Sequence, residues 1–227
     1  MQPFDNKLLS SHTDVSRETL DLVHALIEES QPLFHKLIQQ WLRWNRSVNL
    51  FSRNTSGKEL KEHIFHSLLI HVHMNQSTSQ GDALKEKKEN TPVLDAGTGG
   101  GLPGLPLALV NPDRFFYLND KVQKKQYALK QILSELGIVN AKTVTKRLEH
   151  LTFKDPVWVV SKHSFQIPDL FIQLEQINWE RIYLLKGQDG LRELNHSRVC
   201  NVTVHGISLN QEMMPFLKNK YLLIFYR

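Results

Sequence analysis

The segment VLDAGTGGGLPGLPLALVNPD, residues 93–113, holds five glycines and three prolines around short apolar runs. Glycines clear side chains from a backbone that must approach a ligand. An apolar run, a glycine turn and an apolar helical run, in that order, form the strand–turn–helix opening of a nucleotide-binding α/β unit. Its ligand can be a nucleoside triphosphate, a dinucleotide or S-adenosylmethionine. A triphosphate site needs lysine and then Ser or Thr after the glycines, and here Gly104 is followed by Leu105 and Pro106. Gly99, Gly101 and Gly104 do satisfy G-x-G-x-x-G, with Asp120 at the interval of a ribose-binding acid, so an NAD(P)-binding oxidoreductase stays open as an alternative. Against it, Asp95 stands just before the loop and Pro103 and Pro106 on its far side, where a pyrophosphate calls for an unopposed helix end. An acidic residue there suits the ammonium and sulfonium of S-adenosylmethionine, which carries no phosphate. On that reading Gly97, Gly99 and Gly101 let the loop pass close to the methionine moiety, Thr98 offers a hydroxyl, and the Asp120 carboxylate accepts from both ribose hydroxyls. The plainer reading makes Asp95 a turn cap and Asp120 a helix cap.

These residues need a scaffold, and the chain supplies alternating patterns. Leu20, Val23, Leu26 and Ile27 recur at helical spacing after Ser16, a candidate N-cap, and Leu33, Leu37, Ile38, Trp41 and Leu42 continue a second stripe from Pro32 to about residue 43. NRSVNLFSRN reads as a loop. Ser56 and Glu59 have capping-box spacing ahead of a third stripe, Leu60, Ile64, Leu68 and Val72. Residues 1–75 are therefore expected to form a small helical segment, residues 76–91 a polar linker, and residues 92–227 the ligand-binding domain. In that last part PVLDA, RFFYLN, AKTVTK, VWVVSK and RIYLLK read as strands, with helices through KKQYALKQILSEL and from about Pro168. Strands alternating with helices predict an α/β fold, a Rossmann-like parallel sheet with helices on both faces. VCNVTVHGISL and KYLLIFYR, with no helix evident between them, predict a final antiparallel pair.

The 227 residues carry a formal charge of +5, with 41% apolar and 22% charged residues and one cysteine, Cys200. No apolar run approaches the roughly 20 residues of a membrane helix, and the N-terminus lacks a basic stretch before an apolar core, so a cytoplasmic home with no membrane contact is expected. The basic balance permits a polyanionic partner. Lys121, Lys124, Lys125, Lys130, Lys142, Lys146 and Arg147 form a possible phosphate track, with Lys124 and Lys125 as RNA contacts, or a solvated helix face. Trp41 and Trp44 with Asn45 can stack on an unpaired base, although Trp41 lies on the apolar stripe and Asn45 also suits loop fixation. His63, His66, His71 and His73 crowd the third helix; His63 and His66, three apart, can share a face, but no third ligand of suitable spacing accompanies that pair, so no metal is expected. Lys186, at the end of a strand, stands where open α/β sheets place their ligands.

The loop DAGTGGGLPGLPLA, with WNRSVNLFSR and EHIFHSL upstream and LND, RLEHL, VVSKHSF and LLKGQD downstream, resembles the bacterial small-subunit rRNA guanine-N7 methyltransferases, the glucose-inhibited division protein B family, over roughly residues 40–190. The resemblance implies a class I methyltransferase sheet behind a small helical part, S-adenosylmethionine as cofactor, and 16S rRNA or the 30S particle as partner of a monomer. It implies that Gly97 and Leu102 line the methionine side, that Leu148 and Glu149 lie near the adenine, and that Lys162 contacts cofactor or substrate. It also favours an RNA-facing role for EHIFHS. His66 and Lys186 join Lys162 as candidate catalytic groups, and His63, Asn45, Lys124 and Lys125 are candidate RNA contacts. Where the family has Ser-Arg-Ala, this chain has Ser161, Lys162 and His163. Lysine keeps the charge and loses the two-pronged donor, which leaves open a cofactor-binding, ribosome-associated protein with impaired catalysis. Guanine N7 bears a free lone pair, so alignment rather than proton removal is the implied catalytic task.

Overall fold

The computed structural model describes residues 9–76, 91–195, 197, 201–209 and 214–227. Strands β1 (Ser11–Asp14), β2 (Val93–Ala96), β3 (Phe116–Asn119), β4 (Ala141–Val144), β5 (Val157–Lys162), β6 (Trp179–Lys186), β7 (Thr203–Ser208) and β8 (Tyr221–Tyr226) form one sheet in the order β1-β7-β8-β6-β5-β2-β3-β4. All neighbours run parallel except β8, which is antiparallel to both β6 and β7. The helices are α1 (Arg17–Glu29), α2 (Gln31–Val48), α3 (Gly57–Gln76), α4 (Gly104–Val110), α5 (Gln123–Glu135), α6 (Ile167–Gln173) and α7 (Gly190–Asn195).

The central strands carry apolar residues on both faces because both faces are covered. Val93, Trp158, Val160, Tyr183 and Leu185 pack in one core with α1 to α5, while Leu94, Val157, Val159, Ile182 and Leu184 pack in the other with α6 and α7. The two cores alternate residue by residue along β5 and β6, as the two-residue period of a strand demands. Order reverses about β2, which has β3 on one side and β5 on the other. Ligands in open α/β sheets sit outside the carboxyl ends of the strands at such a point.

The helix caps follow the sequence. Ser16 accepts from the Thr19 amide, and Ser56 and Glu59 cap one another. Three features depart from expectation. Helix α2 continues past residue 43 to Val48, burying Asn45 and Val48 in its last turn. A strand, β1, precedes the helices; its side chains are all exposed and only its backbone pairs with β7, so SHTD carries no hydrophobic pattern. A short helix, α7, follows β6 where the sequence marked no element. The expected linker falls almost wholly outside the described residues, as does Cys200.

Candidate active site

A cleft of about 510 Å³ opens beyond the ends of β2, β3 and β4, lined among others by Gly97, Gly99, Asn119, Asp120, Leu148, Glu149, Ser164 and Phe165. The glycine loop forms its floor. Gly97 has φ of +71°, and a Cβ there would lie 2.7 Å from Ser164 Cβ and 2.8 Å from the Phe165 ring. Ser164 Oγ completes this join by donating to the Gly97 carbonyl at 2.6 Å. The loop is also held from behind. Trp41 Nε1–H donates to the Gly100 carbonyl at 2.7 Å, and a Cβ at Gly100 would run into the Phe51 ring. Asn45 presents that ring: its amide bonds the Ser52 carbonyl and its oxygen accepts from the Phe51 amide. Asn45, expected as an RNA contact, is buried at 7% exposure and fixes this loop instead. Trp41 is core, as its place on the stripe implied.

The two acids at the strand ends have separated roles. Asp95 is fully buried; Oδ2 accepts from Thr98 Oγ1 and, at 2.8 Å, from the Gly104 amide, and burial pushes its carboxyl up to about 7 against those two bonds. Expected among the cofactor ligands, Asp95 and Thr98 are bonded to each other, and Asp95 lies beneath the loop as the turn cap. Its bond to Gly104 also occupies the first amide of α4, where a pyrophosphate would be held in a dinucleotide fold. Asp120 lines the cleft. Its oxygens accept from the Gly99 amide at 3.1 Å and the Val122 amide at 2.8 Å, which leaves each with capacity for a hydroxyl. Asn119, not singled out in the sequence, donates to the Val144 and Lys146 carbonyls and holds the turn that carries Leu148 and Glu149 to the rim. Leu102 is buried behind the floor, its amide bonded to the Thr98 carbonyl.

At its own carboxyl end, β5 carries a basic cluster. Lys162, 8% exposed, places Nζ 3.0 Å from His63 Nδ1 and donates to the His63 carbonyl at 3.3 Å. Burial, then the charge of Lys220, shifts Lys162 well below its ordinary value, with Asp95 opposing. Burial, then Lys162, lowers His63 to about 4. His66 was expected to be catalytic. It is fully buried, lines neither this cleft nor its neighbour, and its ring nitrogens have no hydrogen-bond partner among the described residues. Its ring lies 5.9 Å from that of His163, so it packs α3 against the loop after β5. Lys186 is also reassigned: its Nζ meets Glu193 Oε2 at 2.6 Å and the Phe165 carbonyl at 2.8 Å, which makes it a positioning residue. Lys125 lines the cleft, whereas Lys124 is exposed on α5. No group of three or more His, Cys, Asp or Glu among the described residues can hold a metal ion.

The cleft fits S-adenosylmethionine better than a dinucleotide: glycine backbone bare along the floor, a carboxylate for the ribose, and a helix end already closed by Asp95. The sheet order and this cleft define a class I methyltransferase. An O-methyltransferase from Streptomyces achromogenes, TomG, solved with SAM, has this fold at a TM-score of 0.51 and 14% identity, covering 84% of this chain and 89% of that one. The family model described as rRNA small subunit methyltransferase G (GidB) matches residues 30–222, and the chain belongs to that family. The ribosomal RNA small subunit methyltransferase G of Chlorobium chlorochromatii (strain CaD3) is 30% identical over 215 residues, 91% of this chain and 84% of its own. That of Haemophilus ducreyi is 33% identical over 176 residues, 74% of this chain and 77% of its own.

Proposed function

We propose that this chain transfers the methyl group of S-adenosylmethionine to N7 of one guanine in small-subunit rRNA, acting as a cytoplasmic monomer on 16S rRNA or the 30S particle. The observation that carries the reading is the cleft at the ends of β2 and β3, with Asp120 on its rim and Asp95 closing α4, in a chain whose relatives are named for small-subunit rRNA. Gly97, Gly99 and Asp120 would hold the methionine and ribose, and Leu148 and Glu149 would border the adenine.

S-adenosylmethionine supplies an electrophilic methyl carbon: the N7 lone pair forms the new C–N bond as the C–S bond breaks and its electron pair leaves with sulfur. No proton has to leave N7 before it attacks, so this reaction asks for no nucleophile–base pair. The chain's own task is to align and to exclude water, which contributes about 7–11 kcal/mol at the favourable limit. Lys162 and His63 have lowered proton affinities, so they offer this rim less positive charge than free side chains would, and a sulfonium is repelled less. Ser164 and Lys186 hold the loop between them and the glycine floor.

The test is transfer of labelled methyl to 30S particles lacking the modification, with the product nucleoside identified by mass spectrometry. A single 7-methylguanosine in 16S rRNA is the expected result. Bound S-adenosylhomocysteine without transfer to 30S particles would point to another substrate or an inactive binder, and would sink the reading.

A further inference from the structure

A second cleft, of about 360 Å³, opens beside the first, and Ser164 and Phe165 belong to the lining of both. Its remaining sides include His163, Lys186, Glu193 and the turn at residues 187–190. Glu193 is fixed there by one oxygen: Oε2 meets Lys186 Nζ at 2.6 Å and accepts from the Ile167 amide at 3.0 Å, while Oε1 has no hydrogen bond among the described residues. Lys186 is fixed in turn by the Phe165 carbonyl. A polar pocket next to the methyl-donor cleft therefore combines an aromatic ring on the shared wall with a rigid carboxylate that has one acceptor unspent.

We propose that this second cleft receives the target guanine, with Phe165 stacking on the purine and Glu193 Oε1 accepting from N1–H and the N2 amino group. The inference rests on the guanine-N7 reading and adds how that base is chosen. Adenine has an N7 lone pair as well, so the methylated atom cannot distinguish the two purines. Their Watson–Crick edges differ: guanine presents donors at N1 and N2, adenine an acceptor at N1. A carboxylate accepts from the first and repels the second. The same contact aids the reaction. Methylation transfers positive charge from sulfur to the purine, which makes N1–H a stronger donor, so the bond to Glu193 strengthens as the transition state forms. Aromatic side chains stack on splayed RNA bases in this manner.

The test measures methyl transfer to undermethylated 30S particles by the wild-type chain and by Glu193→Gln, with GMP, IMP and AMP as competitors. GMP is expected to inhibit the wild type roughly tenfold better than IMP, which lacks the N2 amino group, and better still than AMP. Glu193→Gln should lose that order and lower kcat/KM roughly tenfold or more while binding S-adenosylhomocysteine as before. Phe165→Leu should weaken all three competitors and keep their order. Equal inhibition by GMP, IMP and AMP in the wild type would overturn the proposal even if the variants failed to fold, and leave the methyltransferase reading standing. So would a Glu193→Gln chain that keeps the wild-type order. Absence of transfer by the wild type would overturn both.

Discussion

Two rims at the carboxyl ends of the strands are built by opposite means. The rim after β2 and β3 is backbone and carboxylate: bare glycines, Asp120 open, Asp95 sealed beneath. The rim after β5 gathers bases, Lys162, His63 and His163, from α3 and from the end of β5 about a hundred residues further on, with the sealed His66 packed on His163. On the first, close packing of bare backbone sets the geometry: a Cβ at Gly97, Gly100, Gly101 or Gly104 would come within 3.0 Å of another atom. On the second, it is set by packing between distant elements, and the proton affinities of its groups are set by how thoroughly packing removes water.

That difference predicts how each rim breaks. The largest effect should come from Gly104→Val. A Cβ at Gly104 would fall 2.5 Å from Asp95 Oδ2 and closer still to Leu118. Both neighbours are buried, so the strain of about 3 kcal/mol or more has nowhere to relax. Urea unfolding should show that loss, with S-adenosylhomocysteine binding abolished; a stable variant that still binds would mean that the loop is looser than its contacts imply.

Next comes acid. Burial lowers His63 and His73 to about 4, lowers His71, and takes His66 well below its ordinary value. A histidine with a lowered folded-state value contributes stability that is present above pH 6.5 and lost as pH falls through its folded value. Between pH 6.5 and 4 the chain should therefore weaken, by on the order of 2–3 kcal/mol from His73 alone. Asp95 acts oppositely: its raised value, about 7, favours the folded state below the unfolded value of 3.8, and that contribution is lost as pH rises through 7. Asp95→Asn removes this counterweight and should steepen the acid loss. Denaturant midpoints at pH 4, 5, 6 and 7 measure both slopes, and a shallower profile in the variant would reverse the assignment.

Asp120→Ala comes third. Losing a carboxylate that holds the ribose should weaken S-adenosylhomocysteine binding by roughly 1–3 kcal/mol in calorimetry, with little change in kcat at saturating cofactor. Unchanged affinity would make Asp120 only the cap of α5.

The first rim was legible in the sequence for the reason that it is rigid. Glycines and prolines around a short strand mark a backbone constraint wherever it occurs, and continuous apolar runs marked β2, β3, β5 and β6. Capping chemistry at Ser16, Ser56 and Glu59 is equally local. The second rim was legible only as residue types. Nothing at His63 announces Lys162, and nothing separates His66, sealed and without a hydrogen-bond partner among the described residues, from the half-buried His63 one turn away. Lys186 was found at a strand end, but its partner Glu193 lies on a six-residue helix too short to show a period. The edge strand β1 escaped because backbone pairing to β7 needs no side-chain pattern. Asn45 shows the limit from the other side: an asparagine beside tryptophans fits RNA contact and loop fixation alike until its two bonds are seen.

The smallest effect sharpens the comparison most. The family resemblance implies Ser-Arg-Ala where this chain has Ser161, Lys162 and His163, so Lys162→Arg tests what the exchange does. On a rim built by backbone, restoring the usual residue should restore function. Here the lysine ammonium is fitted to one ring nitrogen and one carbonyl of His63, in a space that leaves it 8% exposed. A planar guanidinium carries more atoms and a fixed charge into that space, displaces the His63 ring and cannot give up its proton as a buried lysine can. Lys162→Arg should therefore lower S-adenosylhomocysteine affinity slightly, by about 1 kcal/mol or less, and His63→Ala in the same chain should recover it by making room. Calorimetry on the two single variants and the double variant measures that coupling. Tighter binding in Lys162→Arg alone would show that the lysine weakens the site, and that His63 follows Lys162 rather than defining its place.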